Sequence, residues 1–179
     1  ELDHAWGKRC DALYKAELSA LYHQKRERFF ELADKLGKAV ALFGGSAALW
    51  KVSSDGIVAG MAALVTASSA LSLVFSFSER SKKHAELAKE FRVIIAEILA
   101  KSEFDINNAD ASSWMSKVYA LEAKEPPSLS ALTVACQNEL AIARNEKKAV
   151  VSQPLHVRIF AQFLDMPQRA LPNNNGEKV

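Results

Sequence analysis

The sequence predicts an all-α fold: a membrane helical hairpin of two transmembrane helices, continued by long cytosolic helices and a small C-terminal helical lobe. Three observations predict it. The 23 residues Gly56–Ser78 carry no charge, and a helix of that length, rising about 1.5 Å per residue, crosses a hydrocarbon core of about 30 Å. A second uncharged run, Ala39–Trp50, lies just before it. Charged flanks with the apolar spacing of amphipathic helices surround both runs.

The bulk composition excludes several function classes. The chain has 179 residues and a formal net charge of only +2, so a nucleic-acid partner is not indicated. Its two cysteines, Cys10 and Cys136, form neither a disulfide framework nor a metal-ligand spacing. The four histidines are scattered, and no catalytic or nucleotide-binding motif is present. We therefore expect no enzyme, no cofactor and no metal site.

The first span is predicted over about residues 36–54, as a continuation of a long amphipathic helix, Leu2–Lys38. Its uncharged run has only 12 residues, so Lys38 and Lys51 must extend toward the headgroups for it to cross. The alternative is a soluble bundle in which both apolar runs are buried. The many Ala, Ser and Gly residues of Gly56–Ser78 also fit that alternative.

Aromatic and basic residues crowd the segment before the first span, from Tyr22 to Phe30. This segment either faces anionic lipid headgroups or forms a contact between subunits. His23 and His84 should approach one another across the antiparallel helix pair, as polar interface residues or as a pH-sensitive contact. The candidates for cytosolic gating or assembly are Tyr22, His23, Arg26, Phe29, Phe30, His84 and Phe91.

The second span, about residues 56–78, sorts into faces when it is plotted as a helix at 100° per residue. One face carries small residues that allow close approach of two backbones, and we predict that it packs span against span. The predicted packing residues are Gly44, Ala48, Gly56, Gly60, Ala63 and Ala67. The roughly opposite face carries the hydroxyl residues Thr66, Ser69, Ser72 and Ser76. Those hydroxyls either bond the carbonyls of their own helix or line a pore.

Charge predicts the orientation. Five Lys or Arg residues lie shortly before the first span and five shortly after the second, whereas the connecting turn has only Lys51. The positive-inside rule then places both termini in the cytoplasm.

The predicted domains are residues 1–101, which form the hairpin with its cytosolic extensions, residues 102–171, which form the C-terminal lobe, and residues 172–179, a disordered tail. Gly56–Lys101 is expected to form one uninterrupted helix. In the lobe, Asp110 is expected to cap a helix that runs to about Ala123, and Ser128 a helix to about Lys148. A short final helix is expected over Leu155–Asp165.

Several ordered segments resemble the SLATT family, the SMODS and SLOG-associating two-transmembrane effector domains. They are Tyr22-His23-x-x-Arg26-Glu27-x-Phe29-Phe30, Gly44–Ala48, Leu71–Ser78 and His84-Ala85-x-Leu87-Ala88-x-x-Phe91. The resemblance covers about Leu13–Leu99 and continues weakly to Cys136–Leu140 and Arg158–Met166. Two positions depart from it: Ser72 stands where many relatives carry an acidic residue, and Ser76 replaces a Gly. The first departure puts family-like ion selectivity in doubt.

The resemblance implies an effector of the bacterial inner membrane that forms an oligomeric pore in anti-phage or conflict systems. Its partners would be the lipid bilayer, further copies of the chain, and an operon-encoded sensor or nucleotide-signalling protein on the cytosolic side. The alternative is a membrane-anchored or soluble helical adaptor or sensor that forms no pore. Ion flux through liposomes distinguishes the two functions, and extraction without detergent identifies a soluble protein.

Overall fold

The structure, a computed structural model, describes residues 2–49, 55–102 and 105–166, and all of its regular elements are helices. No strand occurs in these ranges, so the predicted all-α class is confirmed. The six α-helices are α1 (Leu2–Leu49), α2 (Asp55–Phe75), α3 (Phe77–Ala100), α4 (Asn108–Glu122), α5 (Ser130–Ala143) and α6 (Leu155–Phe160). A short 3-10 helix, Lys147–Ala149, lies between α5 and α6.

The chain divides into two compact units. Unit 1 comprises Glu1–Tyr22 and Leu87–Val179, and unit 2 comprises His23–Glu86. The C-terminal helices thus share a unit with the first part of α1 and the last part of α3. Unit 2 holds the rest of α1, all of α2 and the start of α3. The predicted domain boundary between residues 101 and 102 stays a prediction.

Unit 1 has a core in which small side chains on α1 meet large side chains on α3 and α4. Alanines at helical spacing, including Ala12, Ala16 and Ala20, are buried on α1. Phe91 and Ile98 of α3 are fully buried in the same cluster. Burying such side chains stabilises a fold by about 1.5 to 3 kcal/mol each. The remaining buried members are Ala5, Ile94, Ile106, Trp114, Val118 and Leu121.

A second buried cluster in unit 1 joins the C-terminal helices to Tyr22 of α1. It contains Tyr22, Ala131, Leu132, Cys136, Val157 and Ala161. The backbone N–H of Leu129 donates to the Tyr22 hydroxyl at 3.0 Å. The Asp165 carboxylate accepts from the backbone N–H of Ser130 at 2.9 Å, at the start of α5. The backbone N–H groups at the start of α5 thus find hydrogen-bond acceptors on side chains that are distant in sequence.

Four predicted helix boundaries of the lobe were wrong. Asn107, not Asp110, is the N-cap of α4, and Asp110 is instead the third residue of a capping box. Helix α5 begins at Ser130, without a side-chain cap from Ser128, and ends at Ala143. Asn145 has φ 61°, a left-handed conformation that ends helices, so the helix does not reach Lys148. Helix α6 ends at Phe160 rather than at Asp165.

The expected uninterrupted helix over Gly56–Lys101 is divided at one residue. Ser76 has φ 45° and separates α2 from α3. The left-handed region costs a residue with a Cβ about 1 to 2 kcal/mol relative to the right-handed helix. Backbone hydrogen bonds nevertheless continue on both sides: the Ser76 N–H donates to the Ser72 carbonyl, and the Arg80 N–H donates to the Ser76 carbonyl.

Some predictions fall outside the described residues. They are the end of the first predicted span, residues 50–54, and the tail, residues 172–179. The side chains of residues 44–49 also lie outside what is described, although their backbone is helical.

Candidate functional site

The apolar helix α2 and the residues just after it form the candidate site. Within the described residues, one helical segment, Ala59–Ala100, which covers most of α2 and all of α3, contains an apolar stretch long enough to cross a membrane. None of its most apolar window is buried inside the chain. Leu64, Leu71 and Val74 are all more than half exposed. A soluble monomer rarely exposes so continuous an apolar surface, so this surface needs an apolar partner.

In the described residues, the first predicted span is not long and apolar enough to count as a membrane-crossing helix. Helix α1 does continue into the apolar run, as expected, and reaches Leu49. Leu42 and Phe43 within that run are 67% and 70% exposed. The run is short and partly outside the described residues, so a two-span hairpin is not confirmed.

The small-residue face of α2 is open. A Cβ added at Gly56 or Gly60 would meet no atom of the described chain within 4 Å. Ala63 and Ala67 are exposed as well. The half-buried stripe of α2 is different: it consists of Met61, Val65, Ser68 and Ser72. The predicted packing with Gly44 and Ala48 stays a prediction, because their side chains lie outside what is described.

The hydroxyl residues of α2 differ in exposure. Thr66 and Ser69 are exposed, whereas Ser72 and Ser76 are half-buried. The Thr66 hydroxyl donates to the Ala62 carbonyl at 2.9 Å. Ser68, outside the predicted set, donates to the Val65 carbonyl at 3.0 Å. At Thr66 the structure therefore shows the local bonding that was one of the two alternatives, and pore lining stays a prediction.

A His–Phe–Arg cluster, formed by His23, Arg26, Phe30, Arg80 and His84, joins α1 and α3 within unit 2. The two Nδ1 atoms of His23 and His84 are 2.8 Å apart in a buried hydrogen bond, which confirms the predicted proximity. The Phe30 ring stacks on the His84 ring, with centroids 5.5 Å apart and an interplanar angle of 14°. The guanidinium carbons of Arg26 and Arg80 lie 4.4 and 6.0 Å from the Phe30 centroid.

The contacts of this cluster run antiparallel along the two helices. Toward the C-terminus of α1, His23 contacts His84, then the Glu27 carbonyl accepts from the Ser81 hydroxyl at 3.3 Å. Phe30 then stacks on Phe77 with centroids 6.3 Å apart. Each step along α1 is thus matched by a reverse step along α3, the arrangement that a hairpin requires.

The histidine pair holds one proton between its two Nδ1 atoms. One Nδ1 must donate and the other must accept, so the two rings have different tautomers when both are neutral. Burial, followed by the charges of His23, Arg26, Lys83 and Arg80, lowers the pKa of His84 to about 3. His84 is therefore neutral at physiological pH.

The other gating and assembly candidates are dispersed. Tyr22 and Phe91 are buried in the two clusters of unit 1, and Phe91 is fully enclosed. Phe29 packs edge-on against Phe30, with ring centroids 5.4 Å apart. Arg80, Ser81 and Phe77 were not among the predicted site residues. The antiparallel register would have found them, because Arg80 precedes the predicted partner His84 by one helical turn.

The described residues contain no group of three or more His, Cys, Asp or Glu side chains placed to hold a metal ion. Comparisons with protein-family models, curated proteins and solved structures gave no match. The function must therefore be argued from the geometry of α2 and the His–Phe–Arg cluster.

Proposed function

We propose that the protein is an integral membrane protein that assembles into an oligomeric pore in the bacterial inner membrane, acting as an effector in an anti-phage or conflict system. The observation that carries the proposal is the unburied apolar surface of α2. In a bilayer this surface is covered by acyl chains, and every backbone group within a continuous helix is bonded internally.

A protomer with at most two spans cannot enclose a pore, so conduction requires several copies. Two open surfaces on α2 are compatible with such an assembly. The small-residue face with Gly60 and Ala63 allows a neighbouring helix to approach closely. The exposed Ser69 hydroxyl offers a polar group that an aqueous channel could use. Triggering by a cytosolic partner and the place among SLATT effectors rest on the resemblance described above.

The direct test is ion flux through liposomes that contain the purified full-length chain, with light scattering to measure the oligomer mass. We expect a discrete oligomer and flux above that of empty liposomes. Ser69→Leu should reduce flux by filling the hydroxyl face. Leu64→Phe adds bulk at an exposed apolar position of the same helix, outside the hydroxyl face, and should leave flux unchanged. Equal effects of the two substitutions would argue against a pore lined by the hydroxyl face.

The second candidate function is a membrane-anchored adaptor that forms no pore. Two observations favour it: only one candidate span is present in the described residues, and Thr66 bonds its own helix. An adaptor would remain with membranes but would give a monomer or dimer in detergent and no flux. That pair of results would replace the pore with an anchor.

A further inference from the structure

We propose that an apolar patch at α6 docks on the surface of a bilayer that contains anionic lipid. This C-terminal patch consists of Leu155, Ile159, Phe160 and Leu164, on α6 and on the turn that follows it, within unit 1. Its three aliphatic side chains are more than half exposed, and the Phe160 ring is about half exposed. Large apolar side chains grouped in this way mark a surface that binds a partner or a membrane.

Helix α6 is apolar on two opposite sides. Val157 and Ala161 are buried in the cluster that α6 shares with α5. Leu155 and Ile159 are each two residues from Val157, so they lie about 200° around the helix from it. A helix at the surface of a soluble protein carries polar residues on its outward side, whereas a helix that is apolar on both sides is covered on both. The outward side of α6 therefore needs a cover that the described chain does not supply.

Side-chain hydrogen bonds to α5 and its first residues hold this segment in place. The Asn138 amide donates to the Val151 carbonyl and accepts from the Val151 N–H, both at 2.7 Å. The Gln153 amide donates to the Ala131 carbonyl at 2.9 Å. After α6, the Asp165 carboxylate accepts from the backbone N–H of Ser130. Because the chain is fastened on both sides of α6, the patch cannot turn inward without breaking these bonds.

The charge around the patch is positive. Residues 147–164 include Lys147, Lys148 and Arg158 and contain no Asp or Glu. All three cationic residues are exposed. The acidic residues that border this stretch are Glu146 and Asp165, of which Asp165 binds the start of α5. Exposed apolar side chains beside Lys and Arg are the combination that binds the interface of an anionic bilayer.

Charge also favours a bilayer over a second copy of the chain. A symmetric contact between two copies of the patch would bring the same cationic segment of each copy together, where like charges repel. An anionic bilayer offers the opposite charge and an apolar layer at one surface. This preference rests in part on the proposed function, because insertion of α2 would tether unit 1 to a bilayer and raise the effective concentration of that surface.

The test places a fluorophore on the patch of the full-length chain in liposomes. Ile159→Cys is labelled with NBD in a Cys10→Ser background, where the remaining Cys136 is buried. The liposomes contain phosphatidylcholine, phosphatidylglycerol and a lipid with a nitroxide near its headgroup. The nitroxide should quench the Ile159 label at least about twofold, because interfacial side chains lie at that depth. The same label at Ser112→Cys, an exposed position of α4, is the control and should not be quenched.

Two pairs of substitutions then separate the contributions of charge and apolar surface. Lys148→Gln with Arg158→Gln should lower the ratio of docked to undocked patch about tenfold or more. Its matched control, Lys89→Gln with Arg92→Gln, removes the same charge from exposed positions of α3 and should lower the ratio less than about twofold. Leu155→Ser should also reduce docking, whereas Val93→Ser, at an exposed apolar position of α3, should not.

Three results would overturn the proposal. The first is equal quenching at Ile159 and Ser112, and the second is an equal effect of each substitution and its control. The third is a blue shift of the Ile159 label that disappears when the protein is diluted in excess lipid and that occurs without quenching by the nitroxide. That result would mean that a second copy covers the patch.

Failure of the proposed membrane insertion is measured separately, with the same label at Leu64→Cys on α2 and a nitroxide at the centre of the bilayer. Quenching at Leu64 without quenching at Ile159 would leave the insertion intact and overturn the docking of the patch. Quenching at Ile159 without quenching at Leu64 would support the docking and overturn the insertion of α2.

Discussion

Helices α2 and α3 follow one another along the chain, yet their side chains are organised for different surroundings. Between Ala59 and Phe75, the residues of α2 whose burial is described are all exposed or half-buried, and most are apolar. From Leu87 to Ala100, α3 buries one stripe, Leu87, Ala88, Phe91, Ile94 and Ile98, and places charged residues outside it. The stripe on α3 is typical of a helix in water, and the exposed apolar surface of α2 is typical of one in lipid.

The largest effect should come from the buried stripe of α3. Phe91→Ala removes a fully buried ring and should lower the free energy of unfolding of unit 1 by about 3 to 5 kcal/mol. Val93→Ala, at a position 51% exposed, is the matched control and should cost less than about 1 kcal/mol. Chemical denaturation in detergent, followed by tryptophan fluorescence, measures both. Similar losses for the two variants would mean that the core is not organised around this stripe.

An added charge should oppose membrane insertion on α2 and have no effect on it on α3. Leu64→Arg places a charge on α2 and should oppose membrane insertion by about 2.5 to 3.5 kcal/mol. Ala96→Arg adds the same charge at an exposed position of α3 and should leave insertion unchanged. The fraction of protein in the membrane pellet after expression measures insertion. If Leu64→Arg leaves that fraction unaltered, α2 does not lie in the hydrocarbon core.

Glycine substitutions at the break between the two helices and just after it should change stability by smaller amounts and with opposite signs. Ser76→Gly should stabilise the folded chain by about 1 kcal/mol, because glycine adopts the left-handed conformation without steric cost. Ser78→Gly, two residues later within α3, should destabilise it by about 0.5 kcal/mol through the lower helix propensity of glycine relative to serine. Thermal denaturation in detergent compares them. A shift of the same sign for both variants would contradict the break at Ser76.

The last effect concerns pH rather than a backbone substitution. The folded-state pKa of His84 is about 3, below the ordinary value of 6.5, so the unfolded chain binds more protons between these values. The contribution of neutral His84 is therefore fully present above pH 6.5 and is lost as pH falls toward 3, by about 1 kcal/mol per pH unit. Denaturation at pH 7.5 and 5.5 should show this loss in wild type and a smaller loss in His84→Gln. An equal loss in both would assign the dependence to other groups.

Much of the fold could be predicted from the sequence, because helical periodicity and uncharged runs are local signals. The helical class, the apolar run of α2 and the approach of His23 to His84 were predicted in this way. The break at Ser76 was not, since serine carries no marker of a left-handed conformation. The start of α5 was misplaced because the carboxylate that accepts from its first N–H belongs to Asp165, far along the chain.

The candidate site was only partly predictable, for a related reason. A helical-wheel plot of α2 shows its small-residue face and its hydroxyl face. It does not show which face is covered by the rest of the chain, because that depends on how the helices pack in three dimensions. The half-buried stripe is Met61, Val65, Ser68 and Ser72, whereas the predicted packing positions Gly60 and Ala63 are exposed. Arg80 was missed because it becomes notable only when Phe30 and Arg26 are placed opposite it.

The central claim is that α2 lies across a membrane, and alkaline carbonate extraction of membranes tests it most directly. Membranes from cells that express the full-length chain are washed at high pH, which releases peripheral proteins and leaves integral ones in the pellet. We predict that the wild-type chain stays in the pellet and is released only by detergent. Recovery of the chain in the carbonate supernatant would contradict the claim and would mean that another protein surface covers α2.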